Sequence, residues 1–359
     1  MHAIVKQNAK QKSPINYLFN TVLGVDSSNF WLQKFNPLWS VQQPLGKIVE
    51  KSQTAHDTVS LTIQINRHFQ IGQAGQHHPV IFEVNGRRYE RTYSLTQLDM
   101  QHVLLTAKKV DQGIVSHWIN EQAKIGDVIE FGQPYGDMLI PQSENPMVLL
   151  GAGSGITPMY SLIKKMIQTK RIAQQPIHLL YWVKQHADVA FKPQFELLAQ
   201  QYPYFKFDVF YTQESSPNAR LNAEHLKQIA NLAESTVYAC GPSGFVQTAK
   251  QLFSQAQDFK SEAFSLTPVI SNETGFVNVT LTKSHKVVAI PKGQSILASL
   301  EQQDIKPQHG CRMGICNKCA CNKAQGATKN LVNGEANSEP NNLLRICVNS
   351  AQTDLVLDI

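Results

Sequence analysis

Three cysteines are packed into the stretch His309-Gly-Cys-Arg-Met-Gly-Ile-Cys-Asn-Lys-Cys319, and a fourth, Cys347, lies well downstream. The pattern C-x4-C-x2-C with a distant fourth cysteine is the spacing of plant-type 2Fe-2S ligation by Cys311, Cys316, Cys319 and Cys347. Two ferric ions and two sulfides carry net positive charge, so four thiolates must converge on them. A tight loop supplies three and a distant segment the fourth. Gly310 and Gly314 let the backbone curl and turn amide N–H groups toward the sulfurs, while Arg312 and Lys318 can offset residual negative charge. Structural zinc also takes four thiolates, but usually from two short paired knuckles. Cys321 falls outside the ligand spacing and reads as a bystander.

A second set of residues could hold nucleotides. The apolar run Met147–Leu150 leads into Gly151-Ala-Gly-Ser-Gly-Ile-Thr-Pro158 and then an amphipathic stretch. Glycines between a strand and a helix let a pyrophosphate approach backbone amides; alone, such a loop is equally a tight β–α turn. Cys240-Gly-Pro-Ser-Gly244 ends a later apolar run. In a parallel sheet it opens into the same crevice, so Cys240 could sit beside a nicotinamide; its plainer reading is a small buried hydrophobe. Upstream, Arg91-Thr-Tyr-Ser94 joins a cation that can pair with phosphate, a ring two residues on that can stack on a flat cofactor, and a hydroxyl. Gly113-Ile-Val-Ser116 resembles a second phosphate-cradling turn.

The elements that must carry these residues are legible from periodicity. Residues 1–43 form an apolar-rich extension, with Tyr17, Leu18, Phe19, Val22 and Leu23, then Phe30, Trp31, Leu32, Phe35, Leu38 and Trp39. It is expected to pack on the next domain; the alternative is an amphipathic contact with a membrane or membrane partner. Residues 44–142 read as an antiparallel β-barrel: Asp57–Ile65 alternates with period two, Val103–Ala107 is β-rich, and glycines and prolines punctuate the rest. Residues 143–266 alternate apolar runs (147–150, 177–183, 205–211, 236–240) with helical stretches, one carrying Ile156, Met159, Tyr160, Ile163, Met166 and Ile167 on one face. That order predicts a doubly wound α/β domain with a parallel sheet. Residues 267–359 read as a compact α+β module: strands near 275–282 and 286–290, a helix near 295–303, the cysteine loop, and a last strand near 354–359.

The bulk composition agrees. The chain has 359 residues, 42% hydrophobic and 17% charged, and no apolar run reaches the ~18 residues of a membrane span. With no secretory signal, the expected compartment is the cytoplasm, where cysteines call for a metal or redox reading before a disulfide one. The net charge of +6 comes from no long Lys/Arg block, so nucleic acid is not expected as a partner.

Taken in order, the motifs resemble the ferredoxin–NADP reductase superfamily joined to a C-terminal plant-type ferredoxin domain, over about residues 44–359. That resemblance implies a flavin-binding barrel, an NAD(P)-binding domain and a β-grasp ferredoxin domain. It implies that Arg91, Thr92, Tyr93 and Ser94 hold the flavin (phosphate through Arg91, the ring through Tyr93, flavin N5 through Ser94), and that Gly113, Val115 and Ser116 cover its phosphates. Gly151, Gly153, Gly155, Thr157 and Pro158 match the pyridine-nucleotide loop. Cys240, Gly241 and Pro242 match the motif beside the nicotinamide, and Glu262 and Phe264 an acidic–aromatic pair near the flavin. Ser94, Cys240 and Glu262 are the implied catalytic residues.

The implied activity is that of an NAD(P)H-dependent oxidoreductase passing electrons through FAD, preferred over FMN, and the 2Fe-2S cluster to a terminal acceptor. The domain order resembles reductases of ring-hydroxylating and other multicomponent oxygenases. It also resembles electron-transfer partners of bacterial acyl-CoA desaturases, which share an Asn-Pro-Leu-Trp-like segment, here Asn36–Trp39; the desaturase partner is the favoured reading. A non-catalytic redox-sensing module is the competing class. One departure concerns the donor. Relatives that use NADPH often place an Arg at the strand end where this chain reads Tyr211-Thr-Gln-Glu214, so NADPH versus NADH stays open, with Lys184 and Arg220 as candidate substitutes.

Overall fold

The computed structural model describes residues 24–111, 113–214, 219–265, 273–314, 317–332 and 334–359. Of the apolar positions in the N-terminal extension, Tyr17, Leu18, Phe19, Val22 and Leu23 lie outside them, as does Cys316.

Six strands close an antiparallel barrel: β1 (Leu45–Ala55), β2 (Thr58–Ile65), β3 (His77–Val84), β4 (Arg87–Gln97), β5 (His102–Lys108) and β6 (Val128–Phe131), in the order β1-β2-β5-β4-β3-β6. Alternation places Val59, Leu61 and Ile63 of β2 in the barrel core with Val80, Phe82, Leu105 and Phe131. The opposite face of β2 is buried as well. Ser60 meets Thr106 at 2.7 Å, and Thr58 and Thr106 line a small crevice with Ile156, Thr157 and Tyr181 of the next domain. The barrel thus has one wet side and one side sealed by its neighbour.

That neighbour is a five-stranded parallel sheet, β7 (Met147–Ala152), β8 (Ile177–Val183), β9 (Phe205–Tyr211), β10 (Thr236–Pro242) and β11 (Asp258–Ser265), ordered β11-β10-β7-β8-β9. All six residues of β7 are buried, as expected of a central strand covered on both faces. The helix Ile156–Gln168 turns Ile156, Met159, Tyr160, Ile163 and Met166 into one core; Ile167, predicted on that face, is only partly buried. Its other side meets the barrel, where the Ser161 hydroxyl donates to the Leu95 carbonyl at 3.0 Å. Lys108 of β5 also reaches Asp188 at 2.7 Å, a second tie between the two domains.

The C-terminal module is a mixed sheet of β12 (Phe276–Leu281), β13 (Lys286–Pro291), β14 (Ala320–Gln325), β17 (Asn342–Arg345) and β19 (Leu355–Leu357), ordered β13-β12-β19-β14-β17. A smaller sheet holds β15 (Thr328–Asn330), β16 (Ala336–Asn337) and β18 (Asn349–Ala351). The helix Ile296–Glu301, capped by the Ser295 hydroxyl, buries Ile296, Leu297 and Leu300 in this core.

The N-terminal extension departs from expectation. The helix Val25–Phe35 is tied to the loop before β1, and the residues it buries are Ser28 and Asn29, whereas Phe30, Trp31 and Phe35 face outward. The apolar residues were read as packing positions; local polar bonds decide the orientation instead, because Asn29 Oδ1 accepts from the Val41 amide at 2.8 Å.

Candidate functional site

The strand β4 presents two different faces at the flavin motif. Alternation puts Arg91 and Tyr93 on one side and Thr92 and Ser94 on the other. Arg91 is half-buried, and burial together with the nearby positive charge of Arg312 lowers its pKa. The Tyr93 ring stands edge-on to Phe82 at 5.9 Å, and burial pushes its phenol up. On the other side, Thr92 Oγ1 lies 2.8 Å from Tyr135 Oη, and Ser94 Oγ lies 2.9 Å from His77 Nδ1.

His77 was not singled out in the sequence. It begins β3, pairs with Ser94 across the barrel ladder, and its other ring nitrogen contacts the carboxylate of Glu262 on β11. His77 is 1% exposed and Glu262 8%. Phe264 stands edge-on to the His77 ring at 5.6 Å. Ser94, His77 and Glu262 therefore form one buried polar chain running from the barrel into the nucleotide domain. A histidine in an alternating strand carries no local signal of such a role; only the β3–β4 register and the docking of β11 reveal it.

The Gly113 turn holds its own side chains. Ser116 Oγ donates to the Gly113 carbonyl at 3.0 Å and accepts from the Val110 amide at 3.2 Å. A Cβ on Gly113 would stand 2.4 Å from Ser116 Oγ, so the turn has no room for a side chain. Val115 is buried in the barrel core, which leaves only its backbone to face a ligand.

The glycine loop after β7 divides its labour. Gly155 allows close packing, since a Cβ there would lie 2.0 Å from the Cys240 carbonyl oxygen. Gly153, at φ +56°, faces open space and its carbonyl accepts from Tyr181 Oη at 3.1 Å. Thr157 closes the first helical turn by donating to the Ser154 carbonyl at 3.1 Å, and Pro158 sits in that turn, where no N–H is required. Cys240 pairs in register with Gly151 on one side and Glu262 on the other, so the nucleotide loop, the cysteine motif and the acidic strand meet at one sheet edge. Cys240 is fully buried; burial and the Glu262 charge hold its thiol well above the usual range.

Beside this edge opens a cavity of about 1010 Å3, lined among others by Gly153, Pro242, Gly244, Trp182, Lys184 and Arg220. Trp182 is 3% exposed, yet its indole N–H has no hydrogen-bond partner among the described residues. The open glycines Gly153 and Gly244 leave room for a ligand along this wall. The residues fit a dinucleotide.

In the C-terminal module Cys311, Cys319 and Cys347 are buried, and the Cys319 and Cys347 sulfurs lie 3.1 Å apart. The Met313 amide points at Cys311 Sγ at 3.3 Å and the Gly314 amide at Cys347. Gly314 has φ +75°, and a Cβ there would strike Val348 at 2.9 Å. Converging thiols with amides aimed at them fit an iron–sulfur cluster rather than an apolar core. Cys321 is part of the hydrophobic core, and burial raises its thiol to about 12. The two cations read as charge compensation each have a carboxylate partner: Arg312 grips Glu301 with two bonds of 2.8 and 2.6 Å, and Lys318 pairs with Glu90 of β4. That last contact sets the cysteine loop against the strand bearing Arg91 and Tyr93.

Comparison with known proteins agrees with this geometry. Residues 45–139 match an oxidoreductase FAD-binding domain, residues 149–251 an oxidoreductase NAD-binding domain, and residues 279–348 a 2Fe-2S iron-sulfur cluster binding domain. The chain is 29% identical over 340 residues to an NADPH oxidoreductase of Mycobacterium tuberculosis, covering 92% of this chain and 88% of that protein. It is 26% identical over 205 residues to the toluate 1,2-dioxygenase electron transfer component of Pseudomonas putida, covering 55% and 60%. Phthalate dioxygenase reductase shares its fold with a TM-score of 0.63 at 22% identity, over 88% of this chain and 97% of that one.

Proposed function

We propose that this chain, which belongs to the ferredoxin–NADP reductase superfamily and carries a C-terminal 2Fe-2S domain, delivers electrons from NADPH to a separate oxygen-activating protein. At the coarser level it is an NAD(P)H-dependent oxidoreductase with FAD and a 2Fe-2S cluster. When bound, the flavin accepts a hydride and gives up single electrons, and the cluster carries them one at a time. The residues supply position and electrostatics. Gly153, Gly244 and Trp182 receive the dinucleotide at the open end of the sheet. Cys240 and Glu262 lie at the same sheet edge as buried partners in register. Arg91, Thr92, Tyr93 and Ser94 hold the flavin, with Ser94 kept in place by His77, and the turn at Gly113, Val115 and Ser116 meets its phosphates. Cys311, Cys316, Cys319 and Cys347 hold the cluster.

The observation that carries the relay is the Lys318–Glu90 contact, which fastens the cysteine loop beside the flavin strand. Electrons then have a short way between the two cofactors. The donor is read as NADPH because Lys184 and Arg220 line the nucleotide cavity and neither cation pairs with a carboxylate among the described residues. Glu214, which would repel a 2′-phosphate, is tied to His186.

For the acceptor we favour a fatty acyl desaturase, on the Asn36–Trp39 segment; the likeness to a dioxygenase electron transfer component supports a multicomponent oxygenase as the second reading. The relay is tested by Cys319→Ser. NADPH-driven reduction of ferricyanide, a flavin-level acceptor, should persist while reduction of cytochrome c is lost. Undiminished cytochrome c reduction would refute a path through the cluster. Reconstitution with a purified desaturase and with a ring-hydroxylating oxygenase then separates the two acceptors.

A further inference from the structure

We propose that the helix Val25–Phe35 and the turn that follows it form a docking surface for an anionic lipid bilayer. A surface helix in water ordinarily turns its apolar stripe inward. This one does the reverse: Ser28 and Asn29 are 3% and 4% exposed, while Phe30, Trp31, Phe35 and the nearby Trp39 are 56%, 64%, 81% and 54% exposed. The orientation is held by specific bonds. Asn29 Oδ1 accepts from the Val41 amide at 2.8 Å. Asn66 Nδ2 donates to the Leu38 and Gln43 carbonyls at 3.1 and 2.9 Å, and His68 Nε2 lies 3.0 Å from the Ser40 carbonyl. Rolling the aromatics inward would break the first of these bonds and pull against the turn held by the others. Four large exposed aromatics, kept outward by the bonds on the opposite, polar side, mark a contact surface.

The chemistry of the patch selects the occupant. Lys34 lies one turn after Phe30 with its ammonium 5.2 Å from the ring centre, and exposed Arg67 borders the hollow beside Trp39. The sequence leading into the helix carries Lys6, Lys10 and Lys12 and no acidic residue before Asp26. Tryptophan and phenylalanine interleaved with cations suit the boundary between acyl chains and anionic headgroups, where rings enter the apolar layer and amines stay at its surface. A symmetric contact with a second copy would instead set these cations against one another. No described helix is long and apolar enough to cross a membrane, so the contact is a lying-on one. The inference is independent of which protein accepts the electrons.

The test uses the full chain with its cofactors, sedimented with vesicles of phosphatidylcholine alone or mixed with phosphatidylglycerol. The mixed vesicles should bind it, less so at high salt. Trp31→Ser with Phe35→Ser should lower partitioning by about tenfold, and Trp31→Phe should keep it, with melting temperature and NADPH–ferricyanide turnover unchanged in both. Lys34→Glu with Arg67→Glu should abolish the preference for anionic lipid. Equal binding of the double-serine variant and the parent would overturn the proposal. So would salt-insensitive binding to neutral vesicles, or a lipid-free dimer that the same substitutions dissociate, or binding confined to the acceptor protein.

Discussion

Replacing Gly155 with Ala isolates the contact on which the nucleotide site is built. Gly155 has φ −63°, so alanine meets no backbone strain there. The whole effect is steric: the new methyl would lie 2.0 Å from the Cys240 carbonyl oxygen and 2.8 Å from the Gly241 nitrogen, against 3.4 Å for ordinary contact. The loop and the end of β10 must therefore part by about 1.4 Å, and both partners are backbone, so no side chain can swing away. Overpacking of this kind costs about 3 kcal/mol, or roughly 10 °C in the melting of the nucleotide domain. NADP+ affinity should fall with it, because the same movement displaces Gly153 and Pro242. Gly244→Ala is the matched control for stability alone, since Gly244 lines the nucleotide cavity. Nothing lies within 4 Å of its Cβ, and it stands in the helix Ser243–Leu252, so stability should hold or rise by up to about 1 kcal/mol. Calorimetry without nucleotide and titration calorimetry with NADP+ give both readouts. If Gly155→Ala melts together with Gly244→Ala and binds NADP+ as the parent does, the close-packing argument is wrong.

His77→Phe should destabilise the protein by about 3–5 kcal/mol, because it leaves Glu262 buried without its partner. Adding Glu262→Gln should recover part of that loss in a urea-unfolding double-mutant cycle, and strict additivity would show that the two residues do not act together. His78 faces the other way from His77 and stacks on Phe69 at 5.2 Å. Burial lowers its pKa from 6.5 to about 4. Its folded pKa is depressed, so the unfolded chain binds the proton first: the native state keeps its full stability above pH 6.5 and loses it as pH falls toward 4, by about 3 kcal/mol. His78→Phe should flatten that part of the stability–pH curve relative to the parent, and parallel curves would exclude His78 as the cause. Lys184→Ala and Arg220→Ala should each raise KM for NADPH about tenfold and leave KM for NADH unchanged; equal changes for both donors would remove the 2′-phosphate reading.

The local patterns were enough to find what backbone chemistry makes obligatory. Recurring apolar runs located β8 and β9 residue for residue, because strands of a parallel sheet are mostly apolar, even at the edge strand β9 where Lys206 and Asp208 intervene. The cysteine spacing was readable because cluster ligation leaves little freedom in a loop, and the glycine loop because only glycine tolerates the approach seen at Gly155. What no window of sequence contained were the relations between distant segments. Cys240 and Glu262 are adjacent only because β10 and β11 run in register. His77 joins Ser94 to Glu262 only because the barrel's third strand faces the last strand of the nucleotide sheet. Lys318 meets Glu90 only because the third domain docks against the barrel. The helix Val25–Phe35 was read by its hydrophobicity, but hydrogen bonds from Asn29 and its neighbours turned it over. Composition and spacing specify elements and ligand sets, since these are set by short-range sterics and coordination. Which side chain meets which across domains depends on register and packing, and those exist only in the folded chain.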